Sequence, residues 1–197
     1  MTPDRLHHPA SCGIAFKEWA GICRALAEGR QSLIVRKGGI AEGPGGFVPE
    51  HRVFWLYPTH LHEAEQGLRL APTAPDAPPS VPPATVPLDT LAVVDSIAFI
   101  DREERLPPLA GLHVWTEETI AKRFHYRQPG LWVLGVRIYR RGAPHDLVIA
   151  PEHAGCKTWV PLDPPLPTDG CEAVLDDVEF ARSRDRLQAA LSGTELN

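Results

Sequence analysis

No run of about 18 apolar residues occurs in the 197-residue chain, so no membrane-spanning helix is predicted. The N-terminus, MTPDRLHHPASCG, lacks a basic segment followed by an apolar one, which removes the signature of a secretory signal and leaves cytoplasm as the expected location. Cysteine is scarce and dispersed. Cys12, Cys23, Cys156 and Cys171 form neither a dense framework nor a CxxC knuckle, so structural thiols are expected rather than disulfides or a zinc knuckle. The glycine run after Lys37 is not followed by Gly-Lys-Ser/Thr, which excludes a Walker A loop, and no HExxH is present. A restriction-nuclease core could recruit only Glu18, Glu50 and Lys37. It lacks the acidic residue two positions before the lysine, where Val35 stands.

What the chain has in excess is proline. Its 21 prolines argue against an all-helical bundle and predict long loops. They are densest in residues 71–90, APTAPDAPPSVPPATVPLDT, which read as a surface insert of polyproline character unable to hold a ladder or a helix. A hydrophobic fraction of 43% and an aromatic fraction of 7% suit a globular domain, and the length allows one sizeable core. The net charge of -5 is uneven: +1 over residues 1–69, -3 over 70–100, +2 over 101–149 and -5 over 150–197. This predicts a core able to present a basic patch beside an acidic linker and tail, not a polyanion-binding surface all round.

The spacing of Ile14, Trp19, Ile22, Cys23 and Leu26 predicts an amphipathic helix over 14–26, stopped by Gly29. A short buried strand, Ser32–Arg36, follows and ends at Lys37-Gly38-Gly39. GGIAEGPGGF then forms a glycine-rich hairpin or lid, and Arg52–Pro58, RVFWLYP, a strand packed against the first. Beyond the insert, the pattern predicts a strand at Leu91–Ile100, a helix from Thr116 to Phe124, and a strand at Leu131–Tyr139 closed by Pro144. Residues 145–165 read as mostly loop with a short strand at Thr158–Leu162, and a charged helix is predicted over Asp177–Leu191. This order does not read as repeated βαβ units. The predicted fold class is α+β, a small mixed β-barrel or strongly curved sheet with flanking helices, interrupted by the proline-rich insert. A flexible leader covers 1–13, a single domain 14–165 and an acidic tail 166–197.

FKEWAGICRALAEGRQSLIVRKGGIAEGPGGFVPEHRVFWLYPTHLHE, together with LWVLGVRIYR and AGCKTWVPLD, is similar to the bacterial family called domain of unknown function 1802, over roughly residues 14–162. The order helix, Ala25-Leu26-Ala27-Glu28-Gly29-Arg30, strand Leu33–Arg36 and late strand Leu131–Arg140 also resembles the PUA-like barrel group with its ASCH and EVE branches. That resemblance implies a PUA-like fold and binding of RNA or modified nucleobases. Some ASCH proteins are similar to hydrolases.

Arg36 and Lys37 stand where a strand meets a glycine turn, a place open to an anionic ligand, with Arg36 favoured for its planar fork. Trp55 and Trp132 are the leading aromatic candidates for base stacking, with His51, His60 and His62 as polar partners. His113 and Trp115 are further candidates for the rim of such a cavity. Three readings stay open. The first is binding of RNA, DNA or a nucleotide-like small molecule through Arg36, Lys37, His51, Trp55, His60, His62 and Trp132. The second is metal-assisted hydrolysis of a phosphodiester or amide bond by Glu50, His60, His62 and Glu63, with a divalent metal on His60, His62 and Glu63. A protein-interaction module using the proline-rich insert is the third. No cofactor is implied by the first.

Overall fold

Phe16-Lys17-Glu18-Trp19 alternates between the two faces of a strand. Ala15 and Phe16 are both fully buried, yet they pack into different clusters. The predicted helix over 14–26 is therefore corrected: Ser11–Trp19 is strand β1, and helix α1 occupies only Ala20–Ala27. The physical reason is pairing on both sides. β1 receives one strand in parallel and another antiparallel, and these ladders outweigh the local preference of an alanine-rich stretch.

The computed structural model describes residues 7–37, 47–60, 67–70, 84–153, 155 and 157–193. After α1 come β2 (Leu33–Arg36), β3 (Val53–Thr59), β4 (Thr85–Ile100), α2 (Glu117–His125) and β5 (Leu131–Val148). The chain continues through β6 (Trp159–Pro167), β7 (Cys171–Ala173) and α3 (Asp177–Ser192). They form one sheet in the order β2-β5-β4-β3-β1-β6, with β7 also paired to β5. Only β1 and β3 run parallel among these pairs.

Three further expectations are corrected. β3 pairs with β1 and β4 rather than with β2. β4 begins inside the proline-rich segment, where Thr85 to Leu88 pair with Val148 to His145 despite Pro87. β5 runs through Pro144 to Val148, and β6 extends to Pro167. Proline in these places removes one donor without stopping the chain from lying alongside its neighbour.

The edge strands β2 and β6 do not pair with each other among the described residues, so the sheet is open. They nevertheless approach: Arg36, the last residue of β2, donates from Nη2 to Oγ1 of Thr158, just before β6, at 2.6 Å. The sheet thus curves almost to closure, helped by register shifts in β1 and at two places in β4. On one face Phe16, Phe54, Leu56 and Ala92 join the larger core with α1, α2 and α3. On the other, Ala15, Trp55, Tyr57 and Leu91 form a second core.

Thr116 caps α2, its side chain accepting from the Thr119 amide, and Asp176 and Glu179 form a capping box on α3. α3 is pinned by Leu187, which lies so close to Gly135 that a Cβ there would stand 2.9 Å from it, and by the Arg137–Asp177 ion pair at 2.5 Å.

The loop before α2 carries His113, only 5% exposed, whose Nδ1 has no hydrogen-bond partner among the described residues. Its pKa is lowered from 6.5 to about 4, chiefly by burial and also by the Arg69 guanidinium, with backbone hydrogen bonds opposing the shift. The imidazole is neutral in the fold. Its share of stability is complete above pH 6.5 and is lost as pH falls from there through about 4. Urea titrations from pH 7 to pH 4 should show a loss of roughly 3 kcal/mol from this group, and His113→Gln should remove that component. An unchanged acid limb in the variant would refute the assignment.

Candidate nucleic-acid interface

Because β1 continues to Trp19, Glu18 faces inward from a strand end instead of lying on a helix surface. It is 1% exposed. One carboxylate oxygen, Oε1, accepts from the Trp19 amide at 2.8 Å, where α1 begins, while Oε2 has no hydrogen-bond partner among the described residues. Nη1 of Arg36 stands 3.7 Å from Oε2. Arg36 is itself mostly covered: its side chain is 15% exposed, its Nε is buried without a partner among the described residues, and its guanidinium lies over the Phe16 ring at 5.2 Å.

Arg123 reaches the same cluster from α2. Its guanidinium lies 4.4 Å from the Trp19 ring centre and 4.2 Å from that of Trp115. Burial lowers its pKa to about 10; the Glu18 carboxylate opposes that shift and the Arg36 guanidinium adds to it. Two guanidiniums therefore share one buried carboxylate, leaving a formal charge of +1 in a largely apolar surrounding. Such a cluster favours an additional anion.

Aromatic side chains extend from this point in two directions. Along the sheet, Arg36 stands opposite Trp132 on β5, and Trp132 stands opposite Phe99 on β4. Directly opposed residues share a face, so Phe99, Trp132 and Arg36 make one cross-strand row. The Phe99 and Trp132 rings are 5.0 Å apart, and Phe99 is 46% exposed. Across the open edge, Trp159 packs on Phe16 at 4.9 Å and on His51 at 4.8 Å.

The predicted site residues are thus divided. Arg36, Trp132 and His51 lie at or beside this edge. Trp55 does not: strand alternation sends it to the opposite face, where it is fully buried and meets His145 edge-on at 5.1 Å. Lys37 donates to the carbonyls of Phe124 at 2.9 Å and Gly130 at 2.8 Å, and also to that of Gln128, so its ammonium ties down the end of α2. Glu50 and His60 are exposed. His62, Glu63 and Cys156 lie outside the described residues. No group of three His, Cys, Asp or Glu placed to hold a metal occurs among the described residues.

Sequence reasoning missed Arg123, Thr158, Trp159 and Phe99 as members of the edge and placed Glu18 on a helix. The available signal was the alternation in Phe16-Lys17-Glu18-Trp19, which fits a strand with Phe16 and Glu18 on one side.

These features define an α+β protein with an open, curved mixed sheet and flanking helices, built around a buried cationic cluster at its edge. Residues 15–186 match the family described as Domain of unknown function (DUF1802), and the chain belongs to that family. Comparison with curated proteins finds no significant match. Among solved structures the chain is similar to ASCH from Zymomonas mobilis, with a TM-score of 0.46 and 10% identity over 89% of this chain and 93% of that one. Two point mutants of the Zymomonas mobilis protein give TM-scores of 0.44 and 0.41 at 11% identity. They cover 76% and 91% of this chain and 88% and 99% of theirs. No helix among the described residues is long and apolar enough to cross a membrane.

Glu18→Ala should destabilise the fold by about 3 kcal/mol, because it leaves two guanidiniums covered without their counter-charge. Glu18→Gln, which can still accept from the Trp19 amide, should cost less. Urea unfolding of the two variants measures this. A loss under about 1 kcal/mol for the alanine variant would show that the cluster is not held together by its charge.

Proposed function

We propose that the chain binds nucleic acid or a nucleotide-like ligand at the edge formed by β4, β5 and β2. The observation that carries this reading is the cross-strand row Phe99–Trp132–Arg36. It sets two aromatic rings beside a guanidinium that is backed by Glu18 and neighboured by Arg123. Aromatic rings on adjacent strands stack on bases of any identity, and a fixed guanidinium fork suits a phosphate, so the row has the parts for a single strand. Burial of Arg36 over Phe16 and its bond to Thr158 hold the fork in place before a ligand arrives, which reduces the ordering cost on binding. Lys37 acts as a support for the end of α2 in this reading, and His51 contributes through its packing on Trp159.

Fluorescence anisotropy with short RNA, single-stranded DNA and duplex DNA, at low and near-physiological salt, tests this. Binding should weaken as salt rises, as phosphate contacts require. Phe99→Ala, at an exposed position, should cost about 1–3 kcal/mol on single strands, and Arg36→Ala should reduce both the affinity and the salt slope. No binding to any polymer, or equal affinity in wild type and both variants, would sink the reading.

A further inference from the structure

A cleft of about 270 Å³ lies away from this edge, between α3 and the turn that joins α1 to β2. The turn passes through Gly29 in the left-handed region, at φ 69°, and leads by Arg30 and Ser32 into β2. Leu187 holds α3 down on the sheet, and Glu179, Arg182, Ser183 and Arg186, spaced three and four apart, line the gap that remains. Leu33, Leu112 and Leu187 supply an apolar floor, and Arg30, Arg182 and Arg186 a basic rim.

The charges in this cleft are unevenly committed. Arg30 is paired with Glu28 at 2.8 Å, and the Glu179 carboxylate accepts from the Asp176 amide at 3.2 Å as part of the α3 capping box. Arg182 and Arg186 are exposed and have no ion-pair or hydrogen-bond partner among the described residues. Like charges four apart on a helix repel each other, and an anion seated between them reverses that cost. Their position in the segment with a net charge of -5 sets them apart from its general character.

We infer that this cleft is a second binding site, for a phosphate-bearing ligand of mononucleotide size. Arg182 and Arg186 take the phosphate and the leucine floor takes the sugar or base. The volume lies just under the roughly 300 Å³ at which small-molecule sites begin, which leaves room for one nucleotide and not a dinucleotide. The ligand is either a free nucleotide or the phosphorylated end of a strand. The site is separate from the Arg36 edge. It begins at the other end of β2, roughly 10 Å along the strand, and does not depend on the reading of that edge.

Calorimetric titrations with a nucleoside 5′-monophosphate, the matching nucleoside, inorganic phosphate, and short RNA with and without a 5′-phosphate test the inference. Wild type is compared with the paired Arg182→Ala and Arg186→Ala variant. Both substitutions of the pair are at exposed positions, and an unchanged melting temperature would show that the fold is kept. The monophosphate should bind at least tenfold more tightly than the nucleoside or phosphate alone and lose at least tenfold in the paired variant. A preference for 5′-phosphorylated over unphosphorylated RNA, lost in the paired variant, would assign the ligand as a strand end. Tight binding of the monophosphate alone would assign it as a free nucleotide. Equal binding in wild type and the paired variant, equal binding of nucleotide and inorganic phosphate, or no binding of any phosphorylated probe would overturn the inference.

Discussion

A carboxylate almost without access to water, facing the Arg36 guanidinium within the field of Arg123 where the edges of an open sheet approach, is the constraint on which the rest of the structure depends. Glu18 is placed there because β1 stays paired with β3 to its last residue and α1 starts immediately after it. Burying a charge is costly unless it is matched, so the β2 end must bring Arg36 and α2 must bring Arg123. The same need fixes the approach of the edges, since Arg36 also reaches Thr158 at the start of β6.

The consequence is a polarised molecule. The second core, with Trp55, Tyr57 and Leu91, is apolar packing on the face away from the cluster. On the other face the helices cover most of the sheet, and the curved edge keeps a +1 cluster beside the partly open rings of Phe99 and Trp132. A closed barrel would have paired β2 with β6 and removed this edge. Lys37, fixed on the carbonyls that end α2, couples that helix to the same edge. The position of Arg123 therefore depends on the strand that carries Arg36.

Much of the fold was legible where the signal is local. β2 and β3 were readable from β-branched and aromatic runs, α2 from Thr116 ahead of two glutamates, and α3 as a charged terminal segment. β1 was not, because Ile14 to Leu26 satisfies a helical period as well as a strand alternation, and only the partners on both sides decide between them. Nor were the extensions of β4 and β5 past Pro87 and Pro144. Proline counts against a ladder in general but not at a position where its missing donor is not needed. Of the site, Arg36 and Trp132 could be picked out by type and place. Trp55 could be named but its face could not be assigned without the register, and Arg123, Thr158 and Phe99 become neighbours of Arg36 only through contacts far apart in sequence.

The most direct test of the central claim is ultraviolet crosslinking of wild-type protein to short single-stranded RNA, with the adducts located by mass spectrometry. The account predicts adducts on the β4 and β5 segments that carry Phe99 and Trp132. Crosslinking that leaves both segments unmodified while marking other surfaces would contradict it.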